Sequence, residues 1–282
     1  MDKTYLAGVI GYPIKHSLSP LLFEFLSKKL KTPVVYLPLA IKTNELKTKL
    51  KNAKDLCVFS GVNVTIPHKE KVIKHVDRLT PTAKSVGAVN LIHFKNQTLI
   101  GDNSDVYGIK ETLKEHKISL RGKSVILYGA GGAAKAVCTA VAQLGAKKVW
   151  IQNRTTVKST KLCRFFSRQF TKTQFSSLSL NKEPKEKIAL YVNATPLGMQ
   201  GFPKKSPLTS LACKNAFAFD LVYRPESTVF LRDAKKQGLQ PIGGLDMLIW
   251  QAIASWELWF GKVSQRQKLK KALSNYIRKK VL

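Results

Sequence analysis

The sequence predicts an α/β fold built as two α/β domains, and three observations predict it. In mid-chain the apolar run Ser124-Val125-Ile126-Leu127-Tyr128 passes straight into Gly129-Ala130-Gly131-Gly132-Ala133-Ala134, a strand, glycine turn and helix start with G-x-G-x-x-A spacing. Elsewhere short strand-like apolar runs alternate with segments of helical periodicity. The 282 residues, 44% of them hydrophobic, supply enough core for two ordinary domains. The second domain is expected to be of Rossmann type.

The residues ahead of the glycine turn read as an α/β unit of their own. Strands are expected at 6–10, 34–39, 57–64 and 88–94, with helical patterns between them. Ser19-Pro20 marks a helix start, with serine as N-cap and proline at the first helical position. Asn96 and Gln97 form a turn between strands ending at Phe94 and beginning at Thr98. A helix follows over 105–116, with Ser104 as its cap and Asp105 in a first turn whose dipole favours a carboxylate. After the strand at 124–128, an alanine-rich helix over 132–144 stops at Gly145 and leads to a strand at 148–152, a compact βαβ unit. Strands at 188–193 and 217–222 extend it, Pro225 starts a helix ending near Gly238, and a strand follows at 239–242. Two helices after Gly244 return to the first unit. The domains are therefore 1–104 with 246–282, and 105–245, with a ligand cleft expected between them.

The glycine turn carries the first chemical inference. Gly129 allows the tight turn and Gly131 lets a phosphate approach. The N–H groups of Gly129, Ala130, Gly131, Gly132 and Ala133, with the helix N-terminus, suit a pyrophosphate. After the next strand comes Asn153-Arg154-Thr155, where an NAD site places an acidic residue against the ribose 2′-hydroxyl. A cation there points to NADP. Arg154 is read as a 2′-phosphate ligand rather than a solvated surface charge, with Asn153 and Thr155 able to hydrogen-bond and Lys158 adding charge one turn on.

Composition excludes several classes. The first residues lack an apolar core and cleavage site of signal-peptide type, and read as a strand. The segment 245–260 contains Asp246, Gln251 and Glu257 and is short for a membrane span, so a packed helix is expected. Cys57, Cys138, Cys163 and Cys213 are scattered, without a close pair or a His cluster. Neither a disulfide framework nor a metal site is expected, and a reducing cytoplasm fits. The net charge of +31 raises a different class, a basic protein that binds nucleic acid or acidic membrane. Its distribution argues against that, because the lysines recur at Lys28-Lys29, 47–54, 182–187 and 268–271, often on helices with ordinary apolar faces. The tail from Lys268 to Lys280 is the best candidate patch and reads as a solvated helix face. The charge is expected to speed capture of anionic ligands.

The first unit is rich in polar groups at strand and loop ends: Ser17-Leu18-Ser19-Pro20, Asn63-Val64-Thr65-Ile66-Pro67-His68-Lys69, Gly87-Ala88-Val89-Asn90 and Gly101-Asp102-Asn103-Ser104-Asp105. These hydroxyls, amides, one cation and one carboxylate suit a small polyhydroxylated acid. Lys69 is the natural acid/base group, since an alcohol that loses hydride must also lose its hydroxyl proton.

This set of segments, followed by the glycine turn, Asn153-Arg154-Thr155, and Gly244-Leu245-Asp246-Met247 leading to Gln251, resembles the shikimate dehydrogenase family over essentially the whole chain. The resemblance implies an N-terminal substrate-binding domain, a Rossmann-type NADP-binding domain, and NADPH-linked reduction of 3-dehydroshikimate to shikimate on the route to chorismate and the aromatic amino acids. It implies Ser17 and Ser19 at the substrate carboxylate, with Tyr223 a further candidate there, and Thr65, Asn90, Asp105 and Gln251 at the hydroxyls. Lys69 would be general acid in reduction and general base in oxidation, with Asp105 orienting it. On the cofactor side it implies residues 193–199, Leu221, Gly244 and Met247 around the nicotinamide, core packing being the other reading of Met247. Ser104 stands where threonine is usual, Pro81 where some relatives have a polar residue near the cofactor, and Asp246 where glycine is frequent. The nearest rival is a quinate/shikimate dehydrogenase using NAD, against which Ser17, Ser19 and Arg154 favour shikimate and NADP. A cytoplasmic monomer or homodimer is expected, with no specific nucleic-acid or membrane partner.

Overall fold

The computed structural model describes residues 3–180, 182–208 and 215–281. The chain divides into two compact units, Met1–Gly108 with Ile249–Val281, and Ile109–Leu248.

The first unit opens with a βαβαβ run: β1 (Tyr5–Gly11), α1 (Ser19–Leu30), β2 (Val34–Ala40), α2 (Leu46–Leu56) and β3 (Phe59–Val64). Here β1 pairs in parallel with both β2 and β3. A 3-10 turn at Lys71–His75 leads to β4 (Arg78–Leu79), α3 (Pro81–Val86), β5 (Leu91–Lys95) and β6 (Thr98–Asp102). The sheet order is β2-β1-β3-β5-β6-β4, and the antiparallel pairs β3/β5 and β5/β6 make the sheet mixed. Asn96 and Gln97 take φ of 46° and 55° between β5 and β6, the left-handed pair that a two-residue hairpin requires.

The second unit is doubly wound. After α4 (Asp105–Glu115) come β7 (Ser124–Tyr128), α5 (Gly132–Gln143), β8 (Lys148–Gln152), α6 (Thr156–Ser167), β9 (Gln174–Leu178), β10 (Ile188–Asn193), β11 (Phe217–Asp220), α7 (Val229–Lys236) and β12 (Gln240–Ile242). The strands are parallel in the order β12-β11-β10-β7-β8-β9, so the winding reverses beside β7. Every residue of β7 is buried, as expected for a central parallel strand covered on both faces. On one face Ile126, Tyr128, Tyr191, Phe230, Leu231 and Leu239 form a core cluster.

The chain closes with α8 (Leu245–Phe260) and α9 (Arg266–Val281). The residues of α8 from Ile249 onward and all of α9 belong to the first unit. The contacts change unit inside α4 and α8, where the sequence reading put the change close to their first residues. Ile249, Trp250, Ala252, Ile253 and Trp256 are buried, and a Cβ at Gly61 of β3 would collide with the Trp259 indole. Among the described residues no helix is long and apolar enough to cross a membrane. Helix α9 buries Leu269, Leu273 and Ile277 while Lys268, Lys271, Arg278, Lys279 and Lys280 stay exposed. Its apolar stripe packs against α1 and its basic face meets water.

Several element ends differ from expectation for local reasons. Ser19 is the first helical residue rather than the N-cap, and Ser17 Oγ accepts its N–H at 3.3 Å instead. The strand expected from 57 starts at Phe59, because Cys57 adopts a left-handed φ of 52° that ends α2. The strand expected from 88 starts at Leu91, because Gly87 (φ 64°) ends α3. The helix expected from Pro225 starts at Val229, where the Thr228 hydroxyl accepts the Leu231 N–H at 3.2 Å. The sequence pattern does not mark β4 and β9: β4 spans two residues, and β9, Gln-Phe-Ser-Ser-Leu, is a polar edge strand without a clear period. Cys213 lies outside the described residues.

Candidate active site

In the first unit, the segment after β3 delivers Lys69. Thr65 N–H donates to the Ile10 carbonyl at 2.9 Å and His68 N–H to the Thr65 carbonyl at 2.9 Å. The buried His68 ring lies 2.7 Å from the Ile41 carbonyl through Nε2, which makes Nε2 the protonated nitrogen, since a carbonyl only accepts. Burial also holds the His68 pKa below its ordinary value, so the ring is a neutral anchor.

Asp105 sits at the start of α4, its side chain 5% exposed, and its Oδ2 lies 2.6 Å from Lys69 Nζ. Its Oδ1 accepts the Asn90 amide at 2.7 Å, and its own N–H donates to Asn103 Oδ1 at 3.1 Å. Asn103 in turn donates to the Ala88 carbonyl at 2.9 Å, and Asn90 Oδ1 accepts the Ser104 N–H at 2.7 Å. Two segments that the sequence holds apart are thus stitched around one carboxylate. An ion pair persists at such burial when further hydrogen bonds support it, as the Asn90 amide does on the second carboxylate oxygen.

The network continues inward. The Ser104 hydroxyl lies 3.3 Å from Ser255 Oγ and 3.5 Å from Gln251 Oε1. Ser255 donates to the Gln251 carbonyl at 2.9 Å and accepts the Asn63 amide at 3.0 Å, while the Tyr36 hydroxyl donates to Asn63 Oδ1 at 2.7 Å. Burial raises the Tyr36 pKa, keeping it a neutral donor. The structure therefore joins Lys69, Asp105, Asn90 and Gln251, gives Asn63 of the segment leading to Lys69 a place in the same network, and adds Tyr36 and Ser255, which sequence reasoning did not single out. Ser255 had one legible signal: it follows Gln251 by one helical turn. Ser17 and Thr65 are half-buried and Ser19 is buried. Tyr223 is half-buried on the loop after β11, in the other unit.

In the second unit, the turn follows β7. Gly129 has φ 111°, and a Cβ there would lie 3.0 Å from the Ala194 carbonyl oxygen, so both backbone and packing demand glycine. A Cβ at Gly131 would meet no atom within 4 Å. Protein packing leaves that position free, and its bare backbone leaves the N-terminus of α5 open to an anion. Ala130, Gly132 and Ala133 are half-buried, and the following Ala134 is buried.

After β8, Asn153 Nδ2 donates to the Thr155 carbonyl at 2.9 Å. Arg154, Thr155 and Lys158 are exposed. Among the described residues neither Arg154 nor Lys158 has a carboxylate partner, so this cationic corner fits a phosphate. A Cβ at Gly244 would come within 2.6 Å of the Leu221 carbonyl oxygen and 2.8 Å of that of Val222. Leu221 is half-buried, and Met247 is 7% exposed. Among the described residues no group of His, Cys, Asp and Glu is arranged to hold a metal ion.

The doubly wound sheet with its glycine turn defines a dinucleotide-binding α/β architecture. Residues 9–92 match the shikimate dehydrogenase substrate binding domain, 111–184 the shikimate/quinate 5-dehydrogenase family, and 244–273 the shikimate 5′-dehydrogenase C-terminal domain. Over 263 residues, 93% of each chain, the sequence is 38% identical to the shikimate dehydrogenase (NADP(+)) of Caldanaerobacter subterraneus subsp. tengcongensis. A crystal structure of a shikimate dehydrogenase in complex with NADP+ is similar with a TM-score of 0.87 at 31% identity, covering 97% of this chain and 96% of that one. The shikimate 5-dehydrogenase of Thermus thermophilus in complex with NADP(H) and shikimate gives 0.80 at 33% identity, covering 96% of this chain and 99% of that one. The chain belongs to the shikimate dehydrogenase family.

Proposed function

We propose that the chain catalyses the reversible NADPH-linked reduction of 3-dehydroshikimate to shikimate, a step toward chorismate and the aromatic amino acids. The observation that carries the proposal is the Lys69–Asp105 pair at 2.6 Å, set among amides and hydroxyls suited to a polyhydroxylated acid. Bound NADPH supplies hydride to the carbonyl carbon, and NADP+ accepts it in the reverse direction. Lys69 Nζ gives a proton to the carbonyl oxygen as it becomes a hydroxyl, and takes it back in oxidation. Asp105 holds the ammonium, and Asn90, on the other carboxylate oxygen, limits the pair to one orientation.

Ser17 and Ser19 receive the substrate carboxylate, with Tyr223 a further ligand, while Thr65, Asn90, Asp105 and Gln251 receive hydroxyls. Gly129, Ala130, Gly131, Gly132 and Ala133 cradle the pyrophosphate; Asn153, Arg154, Thr155 and Lys158 take the 2′-phosphate; Leu221, Gly244 and Met247 line the nicotinamide side. Residues 1–104 with 246–282 serve as the substrate-binding domain and 105–245 as the NADP-binding domain. The buried free thiols of Cys138 and Cys163 suit a reducing cytoplasm.

Initial rates with shikimate and quinate, each with NADP+ and NAD+, test the proposal. Dominant shikimate turnover with NADP+ supports it. Dominant quinate turnover with NAD+ replaces it with the quinate reading. No turnover, together with RNA binding that survives physiological salt, would move the function to the basic surface.

A further inference from the structure

Asp220 ends β11 and is fully buried, yet the proposed proton transfer does not use it. Its Oδ1 accepts the Asn193 amide at 2.9 Å and the Val222 N–H at 3.0 Å, and its Oδ2 accepts the Thr228 hydroxyl at 2.6 Å. One carboxyl group thereby ties three segments: the end of β10, the loop after β11, and the N-terminus of α7. Burying a carboxyl is costly unless donors meet its lone pairs, and an apolar side chain would avoid that cost only by leaving the Asn193, Val222 and Thr228 donors without this acceptor. The reason for keeping it lies in what the tied segments carry.

With its amide nitrogen held by Asp220, Asn193 turns Oδ1 toward Thr195, accepting the N–H at 3.0 Å and the hydroxyl at 2.6 Å. The same amide nitrogen lies 3.3 Å from the Leu197 carbonyl. This loop rests against the glycine turn, as the approach of Ala194 to Gly129 shows. The loop after β11 is the one on which Gly244 packs. In a doubly wound sheet a dinucleotide crosses the carboxyl ends of the strands, with one half on each side of the first strand. Arg154 follows β8 on one side of β7, whereas β10 and β11 lie on the other. The loops tied by Asp220 are therefore on the side away from the 2′-phosphate corner.

We infer that Asp220 is a positioning residue: through Asn193, Val222 and Thr228 it holds the loops 194–198 and 221–223 in the shape that receives the nicotinamide half of the dinucleotide. The inference rests on the NADP reading above. A carboxyl suits the task because its two oxygens can accept donors from three segments at once.

The test titrates the full chain calorimetrically with NADP+ and, separately, with adenosine 2′,5′-bisphosphate, which keeps the 2′-phosphate and lacks the nicotinamide. Asp220→Ala should weaken NADP+ roughly tenfold and shift the bisphosphate by less than about twofold. Asp220→Asn keeps Oδ1 as acceptor for Asn193 and Val222, and should restore NADP+ affinity to within about threefold of wild type. Should Asp220→Ala fail to fold, Thr228→Val removes the donor to Asp220 together with the α7 cap at Leu231 and should show the same split with a loss of roughly threefold. Equal weakening of both probes, or of neither, overturns the inference, since a merely structural residue would move both. A wild-type chain that does not bind NADP+ overturns the cofactor reading and this inference with it. The split between the probes supports the inference whether or not shikimate is turned over.

Discussion

At the scale of single residues, Lys69 and Arg154 carry the sharpest expectations. Lys69→Ala removes the group that moves the proton while Asn90 still holds Asp105. Steady-state kinetics should show turnover lower by roughly a hundredfold or more with a modest change in substrate KM; near-normal turnover would sink the acid/base role. Arg154 is exposed, and none of the ion pairs among the described residues includes it, so its replacement costs the fold little. Losing a charge-assisted contact of about 1.5–3 kcal/mol should weaken NADP+ by roughly ten- to over a hundredfold and leave NAD+ almost unchanged. Equal weakening of both would remove Arg154 from the 2′-phosphate site.

Within elements, the two glycines at the end of β7 should separate stability from binding. Gly129→Ala forces a side chain into a φ of 111° and against the Ala194 carbonyl, and should cost about 1–3 kcal/mol in urea unfolding. Gly131→Ala meets no protein atom and should change stability by less than about 0.5 kcal/mol, yet weaken NADP+ about tenfold because its methyl stands where a phosphate must approach. A Gly131→Ala chain that binds NADP+ normally would place the pyrophosphate elsewhere. The end of β11 carries a pH signature. Burial raises the Asp220 carboxyl from its ordinary 3.8 to about 6 despite three donors that lower it. A pKa raised on folding gives stability that is whole below the unfolded value and is lost as pH climbs through the folded one. Relative to Asp220→Asn, the wild type should therefore lose stability between about pH 4 and pH 7, on the order of 3 kcal/mol. Glu183, raised to about 7 by burial, is present in both chains and cancels. Parallel stability profiles would show that Asp220 keeps an ordinary pKa.

For the whole molecule, the net charge of +31 acts on encounter rather than on chemistry. Both proposed ligands are anions, and their attraction to a cationic surface is screened as the Debye length falls from about 30 Å at 0.01 M salt to about 8 Å at 0.15 M. Over that range kcat/KM should fall severalfold while kcat stays within about twofold. A salt-independent kcat/KM would mean that the charge does not steer these ligands.

Local grammar and the order of the motifs can be read without the fold. The glycine turn was legible because a positive φ and an open backbone leave a compositional mark at fixed spacing, and α8 because sixteen residues of apolar pattern have one stable reading. Lys69, Asp105 and Asn90 were legible as members of motifs. It takes the folded chain to bring Asn90 onto Asp105, and to let Tyr36, Asn63 and Ser255 continue the same network from β2, from β3 two strands over, and from a late helix. The tertiary structure alone showed that Asp220 ties three segments, and that the first sheet turns mixed at β5. Hydrogen bonds between residues far apart in sequence depend on which strands become neighbours, and neighbour order follows from packing the whole chain rather than from any local window.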